Sequence, residues 1–151
     1  MPERETLERA RRDARQGKSA STQAGEFVRE EIEHVREGKH GARSTKQAIA
    51  IGLSKARRAG VKLAPPKKGT VSARTRKQAA RDARKGRMRH SAKPSPRRSR
   101  AVEKALKREP HRTASRRALS RHAKQAARNR TQRARSQSAK RAARTRKSRQ
   151  A

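Results

Sequence analysis

The large apolar residues of this chain are confined to one short stretch. Leu, Ile, Val and Phe number 14 among 151 residues, and nine of those lie between Phe27 and Leu63. Chains with less than roughly 20% of these residues and a high net charge stay unfolded, because burial cannot offset the entropy of ordering. Here the share is about 9%. Ala, with 27 copies, makes up most of the remaining apolar content; it favours helix but buries little area. A core is therefore expected only around Phe27 to Leu63, and it must be small.

Charge divides the chain at nearly the same place. Residues 1–63 carry 15 basic and 9 acidic side chains, whereas 64–151 carry 32 basic and 3 acidic ones. A segment at +29 repels itself until a polyanion neutralises it. The chain is thus expected to be mostly α. A charged N-terminal helix (1–18) precedes a small helix-loop-helix module (21–63), and a long basic tail (64–151) follows. The tail is expected to be largely disordered, or helical only where phosphates screen it.

Within the first part, Glu3 to Gln16 reads as a charged helix closed by Gly17, with Leu7, Ala10 and Ala14 as a thin apolar stripe. Ser21 or Thr22 is the expected cap of a second helix ending at Gly38. Ala24, Val28, Ile32 and Val35 recur on it at helical spacing, with Phe27 at the edge of the stripe. Glu26, Glu30, Glu31, Glu33 and Glu37 would make its outer side acidic, a surface that faces away from phosphates and either recruits a protein partner or folds against the basic tail. The loop 39–43 follows. Ser44 and Gln47 are spaced as a capping box for a third helix running to Ala59, with Ile49, Leu53 and Ala56 inward. Ile51 falls on the opposite side with no assigned contact. Pro65-Pro66 ends the module.

The tail holds one internal echo. Ala10 to Lys18 aligns with Ala79 to Arg87, sharing the sequence Ala-x-Arg-Asp-Ala-Arg-x-Gly. It is either a duplicated helix-Gly unit or a product of biased composition. Arg100 to Arg108 and Ser115 to Arg128 also have helical periodicity, but like charges at i, i+4 oppose helix in free solution.

Chemistry-bearing patterns are few. Cys is absent, which removes disulfides and thiolate chemistry. Glu31-x-x-His34 has the spacing used in di-iron bundles, yet no second such motif exists, so a solvated helix face is expected. His40, His90, His111 and His122 stand among cations without an orienting carboxylate nearby in sequence. Asp13 and Asp82 adjoin Arg residues, and pairing within the helix accounts for them. No nucleophile elbow or phosphate-cradling Gly loop is present. No enzyme activity, cofactor or metal is expected. Asn129-Arg130-Thr131 matches the glycosylation sequon by chance, since no export signal or membrane-spanning run is read.

Nucleic acid is the expected partner, with DNA favoured over RNA. Candidate phosphate contacts in the module are Lys39, Arg43, Lys46, Lys55, Arg57 and Arg58. The tail adds Arg74, Arg76, Lys77, Arg81, Arg84 and Lys85 around the echo. Arg97 and Arg98 belong to Ser95-Pro96-Arg97-Arg98, which reads either as a minor-groove-binding turn or as a Pro-bearing linker. Arg116, Arg117, Arg121, Lys124 and Arg128 follow, then Lys140, Arg141 and Arg144. Phe27 is the single aromatic residue, which argues against base stacking. The third helix offers only Gln47 for base edges, which argues against sequence readout. The alternatives are an RNA-binding or ribosome-associated protein, or a cationic protein acting on anionic membranes or acidic proteins. The tail lacks the wide apolar face that membrane binding needs.

The runs Ser21 to Ile32 and Gly38 to Gly60 resemble a family of small bacterial proteins. Its members carry a basic Lys/Arg/Ala-rich tail and are labelled either as of unknown function or as DNA-binding. The resemblance implies a bacterial, cytoplasmic setting, here the nucleoid, and no mechanism. By composition, the tail is similar to linker-histone-like bacterial tails.

Overall fold

The computed structural model describes residues 2–88 and 95–150. It divides into two units, Met1–Ser115 and Arg116–Ala151. The first contains α1 (Arg4–Arg15), α2 (Ala20–Arg36), α3 (Thr45–Arg58), α4 (Ala73–Arg87), α5 (Pro96–Lys107) and a 3-10 turn (Arg112–Ala114). The second contains α6 (Arg116–Arg128) and α7 (Gln132–Gln150). No strand forms among the described residues; one isolated bridge joins Lys68 and Val71.

In the first unit α2 is central. It packs on α1 and α3, and α3 packs in turn on α4. Ala10, Ala24, Phe27 and Ala56 form the core, with Leu7, Leu53, Val61 and Leu63 partly buried against it. Phe27 is therefore at the middle of the α2 stripe rather than its edge, and Val28 is only half-buried. The reason lies at Gly52. A Cβ there would come within 2.7 Å of the Val28 Cα, so the missing side chain lets the α2 and α3 backbones touch. Backbone contact takes the place of side-chain volume that the sequence lacks. Ile49, expected inward, is half-buried, while Ala48, Gly52, Ala56 and Arg57 fill the inner side of α3.

Helix ends follow local chemistry, with one shift. Ser19, not Ser21 or Thr22, caps α2, its Oγ accepting the Thr22 N–H at 3.3 Å. Ser44 caps α3 as expected, accepting from the Gln47 N–H. Gln47 completes the box one residue early, accepting from the Arg43 N–H at 2.9 Å. Gly17, Gly38 and Gly60 follow α1, α2 and α3 with positive φ.

The expectation of a largely disordered tail is corrected. α4, α5, α6 and α7 are all helical, and the first unit continues well past Leu63. Ala, Arg, Lys and Gln are strong helix formers, and Ser72 and Thr131 cap α4 and α7 through their side chains. Tertiary contact supplies the rest within the first unit. α4 buries Ala79 and Asp82. Ser54 Oγ donates to Asp82 at 2.7 Å, and Arg58 donates at 3.0 Å. Ile51 shares the α3 face of Ser54 and Arg58 and is half-buried there, which accounts for the apolar residue left unassigned by sequence.

A second part of the tail docks on the loop between α2 and α3. The Gly41 N–H donates to the Leu106 carbonyl at 2.9 Å and the Ala42 N–H to that of Pro110 at 3.2 Å. Thr45 Oγ1 donates to the Thr113 carbonyl, Thr113 Oγ1 to that of Ala42, and Arg36 Nε to that of Ala114. The approach is so close that a Cβ on Gly41 would stand 1.7 Å from the Glu109 carbonyl oxygen.

The echo between α1 and α4 has a structural counterpart. Ala10 and Ala79 are both buried, as are Asp13 and Asp82. The expected pairing of the two aspartates with neighbouring Arg residues of their own helices is corrected. Asp13 accepts from Lys18 at 2.6 Å, beyond the end of α1, and Asp82 binds Arg58 of α3.

Candidate nucleic-acid interface

Acidic side chains are concentrated in the first unit, and their positions decide which cations are free. The expected acidic outer face of α2 is corrected. Glu30 and Glu31 are buried at 2% and 0% exposure. Lys55 of α3 sits between them, 3.2 Å from Glu30 and 2.7 Å from Glu31. Glu26 pairs with Arg9, Glu33 with Arg29, and Glu37 with Lys39. The carboxylates thus serve as internal counter-ions, and the surface foreseen for a protein partner on 22–37 loses much of its charge. Among the described residues, Glu109 is the one acidic side chain without an ion pair.

The module cations separate accordingly. Lys39 contacts Glu3 at 3.1 Å and Glu37 at 3.1 Å. Hydrogen bonds to Glu37 and Glu3 raise the Lys39 ammonium above its ordinary range. Glu3 is held below the usual carboxylate range by hydrogen bonds from His34 and Lys39. Arg57 is 7% exposed, and its guanidinium donates to the carbonyls of Leu53, Leu63 and Ala64. Burial lowers its pKa, against a smaller opposing effect of Asp82. Arg58 is half-exposed but bound to Asp82 and Ser54. Arg43 and Lys46, at the start of α3, have no side-chain partner among the described residues.

α4 gathers the next group. Its inward face carries Ala79, Asp82 and Gly86, all against α3. Helical spacing puts Arg74, Lys77, Arg81, Arg84 and Lys85 away from that face, and all five are solvent-accessible. Lys77, Arg81, Arg84 and Arg87 surround a shallow groove floored by Ala80. Arg76 is exposed on the flank. On α5, Arg100, Lys104, Lys107 and Arg108 line a similar shallow surface beside Glu103. Arg87, Arg100, Lys104, Lys107 and Arg108 were not singled out from sequence, although the i, i+4, i+8 spacing of Arg100, Lys104 and Arg108 marks one helix face.

Ser95-Pro96-Arg97-Arg98 is neither a free turn nor a linker. Pro96 is the first residue of α5, a position where its fixed φ and missing N–H cost nothing. Arg97 and Arg98 lie exposed in that first turn. In the second unit Arg116, Arg117, Arg121, Lys124 and Arg128 of α6 and Lys140, Arg141 and Arg144 of α7 are all exposed. The structure therefore places the expected site residues in the loop after α2 and on α3, α4, α5, α6 and α7.

Two histidines depart from what sequence led one to expect. His34, read as part of a solvated face, has its Nε2 2.8 Å from Glu3. His40, read as lacking an orienting carboxylate, has its Nε2 3.3 Å from Glu31. The two carboxylates come from the residue preceding α1 and from α2, so proximity in sequence offered no sign of the first pairing. His111 is exposed and His122 half-buried, while His90 lies outside the described residues.

Residues 15–68 match the model of a family of unknown function, DUF6496. The match spans the end of α1, all of α2 and α3 and the segment before α4, and it leaves the basic helices α4 to α7 outside. No curated protein and no solved structure matches the chain. No helix among the described residues is long and apolar enough to cross a membrane.

Proposed function

We propose that this chain binds duplex DNA without sequence preference, as a histone-like protein of the bacterial nucleoid acting by phosphate neutralisation. One observation carries the reading: every carboxylate of the described residues but Glu109 is paired with a cation, while α4, α6 and α7 expose Lys and Arg with almost no acidic neighbour. Condensed counterions released from phosphates then supply the driving entropy. Arg prevails over Lys in these helices, which suits bidentate phosphate contact. The cations are mounted on helices, and the B-DNA major groove admits a helix, whereas the deep, narrow major groove of duplex RNA does not. That favours DNA over RNA. Phe27 is buried, which leaves no stacking platform for single strands.

The test uses the full chain and a Lys77→Gln, Arg81→Gln, Arg84→Gln variant. Each phosphate contact contributes about −0.9 to the slope of log K against log salt, so the triple variant should flatten the slope by roughly 2 to 3. Competing duplexes of equal length and unrelated sequence should displace the protein equally, and duplex RNA less well. A DNA site preferred about a hundredfold, roughly 2.7 kcal/mol, would overturn the non-specific reading. An unchanged slope would take α4 out of the interface.

A further inference from the structure

Among the described residues, Glu31 is the one buried acid whose oxygens are not hydrogen-bonded. Both are shut off from solvent, and neither accepts a hydrogen bond. Charged groups are nevertheless close: Lys55 Nζ is 2.7 Å from Oε2, and His40 Nε2 is 3.3 Å from Oε1. Lys55 thus answers Oε2, while Oε1 has the His40 ring beside it; a buried carboxylate oxygen costs several kcal/mol unless a cation or donor faces it.

The histidines around it are oriented from behind. His40 Nδ1 is 3.1 Å from the Gly41 carbonyl oxygen. A carbonyl only accepts, so Nδ1 holds a proton; when the ring is neutral, Nε2 then turns a lone pair toward Glu31. Two lone pairs facing one another at that distance repel unless a cation lies between them. His34 is held similarly by Glu3, 2.8 Å from its Nε2. Hydrogen bonds from the far ring N–H to a carbonyl or carboxylate are the usual way that metal-ligating imidazoles are fixed.

We propose that Glu31, His34 and His40 form a binding site for a single divalent transition-metal ion of the zinc type. Their ligand atoms all lie within 4.8 Å of one another. Two ligands about 2.05 Å from a tetrahedral zinc ion stand roughly 3.3 Å apart, the separation already present between His40 and Glu31. Two imidazoles and one carboxylate suit zinc better than magnesium or calcium, which prefer oxygen. Local charge agrees. Glu3, Glu30, Glu31 and Glu37 face the two ammonium groups Lys39 and Lys55, which leaves two negative charges for a divalent ion to offset. Lys55 stays on Oε2 while the metal takes Oε1. The ion would tie α2 to the loop after it.

The experiment is titration of the nucleic-acid-free full chain with Zn²⁺ by calorimetry, repeated with Co²⁺ for its ligand-field absorption. One saturable site is expected. His34→Ala and His40→Ala should each weaken it by more than the roughly 100-fold that loss of an outer partner can cost. Glu3→Gln should weaken it about tenfold, and His122→Ala should leave it unchanged. Far-UV circular dichroism confirms that each variant folds. Should one fail to, imidazole proton resonances of the unmodified chain decide. Zn²⁺ should shift those of His34 and His40 and leave His90, His111 and His122 in place. Absence of saturable binding, equal affinity in His40→Ala, or equal shifts of all five rings overturns the proposal.

Discussion

The two units use the same residue types to opposite ends. In the first, Lys55, Arg57 and Arg58 are struts: each is bound to carboxylates or carbonyls, and Arg57 is nearly inaccessible. In the second, no acidic residue exists at all, and α6 and α7 have no buried residue among those described. A cation's role in this chain is set by whether an acid or a carbonyl lies within reach. Net charge alone does not reveal it.

The most severe way to break this comparison is to remove residues 116–151. If the second unit neutralises phosphates in proportion to its charge, affinity for duplex DNA should fall by orders of magnitude. The salt slope should flatten by about 0.9 for each phosphate that is no longer neutralised. Fluorescence anisotropy across a salt series measures both. A truncated chain that kept the full slope would assign DNA binding to the first unit, through Arg43, Lys46 and α4. Cutting instead at Leu63 is a poorer experiment, because it would also strip α4 and the 106–114 segment from a folded body.

Stability should separate the units next. Phe27→Ala empties the centre of the core in the first unit and should cost about 3–5 kcal/mol, read from the midpoint of urea unfolding. Leu119→Ala, at a half-buried position of α6, should cost under about 1 kcal/mol. Equal costs would mean that the second unit has a core of its own.

Much of the fold is legible in the sequence, and what is not has physical causes. The helical spacing of Ala24, Ile32 and Val35, the Ser44 cap and the glycine stops all act within one or two turns, so sequence carries them directly. The burial of Glu30 and Glu31 is not legible, because it depends on Lys55 arriving from α3, 25 residues beyond Glu30. Ser19 takes over the α2 cap by a choice among adjacent Ser and Thr residues that local preference cannot settle. For the tail, repulsion among like charges points to disorder, whereas helix propensity and the contacts of Asp82 and Gly41 prevail. On the candidate interface, the residue types and their abundance are plain from sequence. Only the packing of α4 tells which of its cations point outward.

A subtler test bears on the docked segment. Gly41→Ala would drive a Cβ into the Glu109 carbonyl and should cost about 1–3 kcal/mol. Amide exchange at Gly41 and Ala42 should accelerate while that of α2 stays slow. Unchanged exchange at Gly41 and Ala42 would show that the segment is only loosely held.

The smallest effect is expected at Glu103 on the surface of α5. Lys107, one turn away at 2.9 Å, lowers its carboxyl below the ordinary value by hydrogen bonding and charge. A depressed acid stabilises the fold above its unfolded pKa and ceases to do so as pH falls through the folded one. The contribution is therefore full at neutral pH and disappears only in acid. Since both side chains are exposed, Glu103→Gln should leave the unfolding midpoint unchanged within error at neutral pH. A clear drop would mean that α5 depends on this pair.

The partners of the segment around the loop between α2 and α3 lie 65 to 78 residues further along the chain. During synthesis at about 5–20 residues per second, they trail that loop by on the order of 10 s. The α1–α3 body thus leaves the ribosome with Gly41, Ala42 and Arg36 unanswered, and it closes only once residue 114 has emerged. A nascent chain stalled before that point should remain open to proteases at 38–45, and one stalled well after it should resist them.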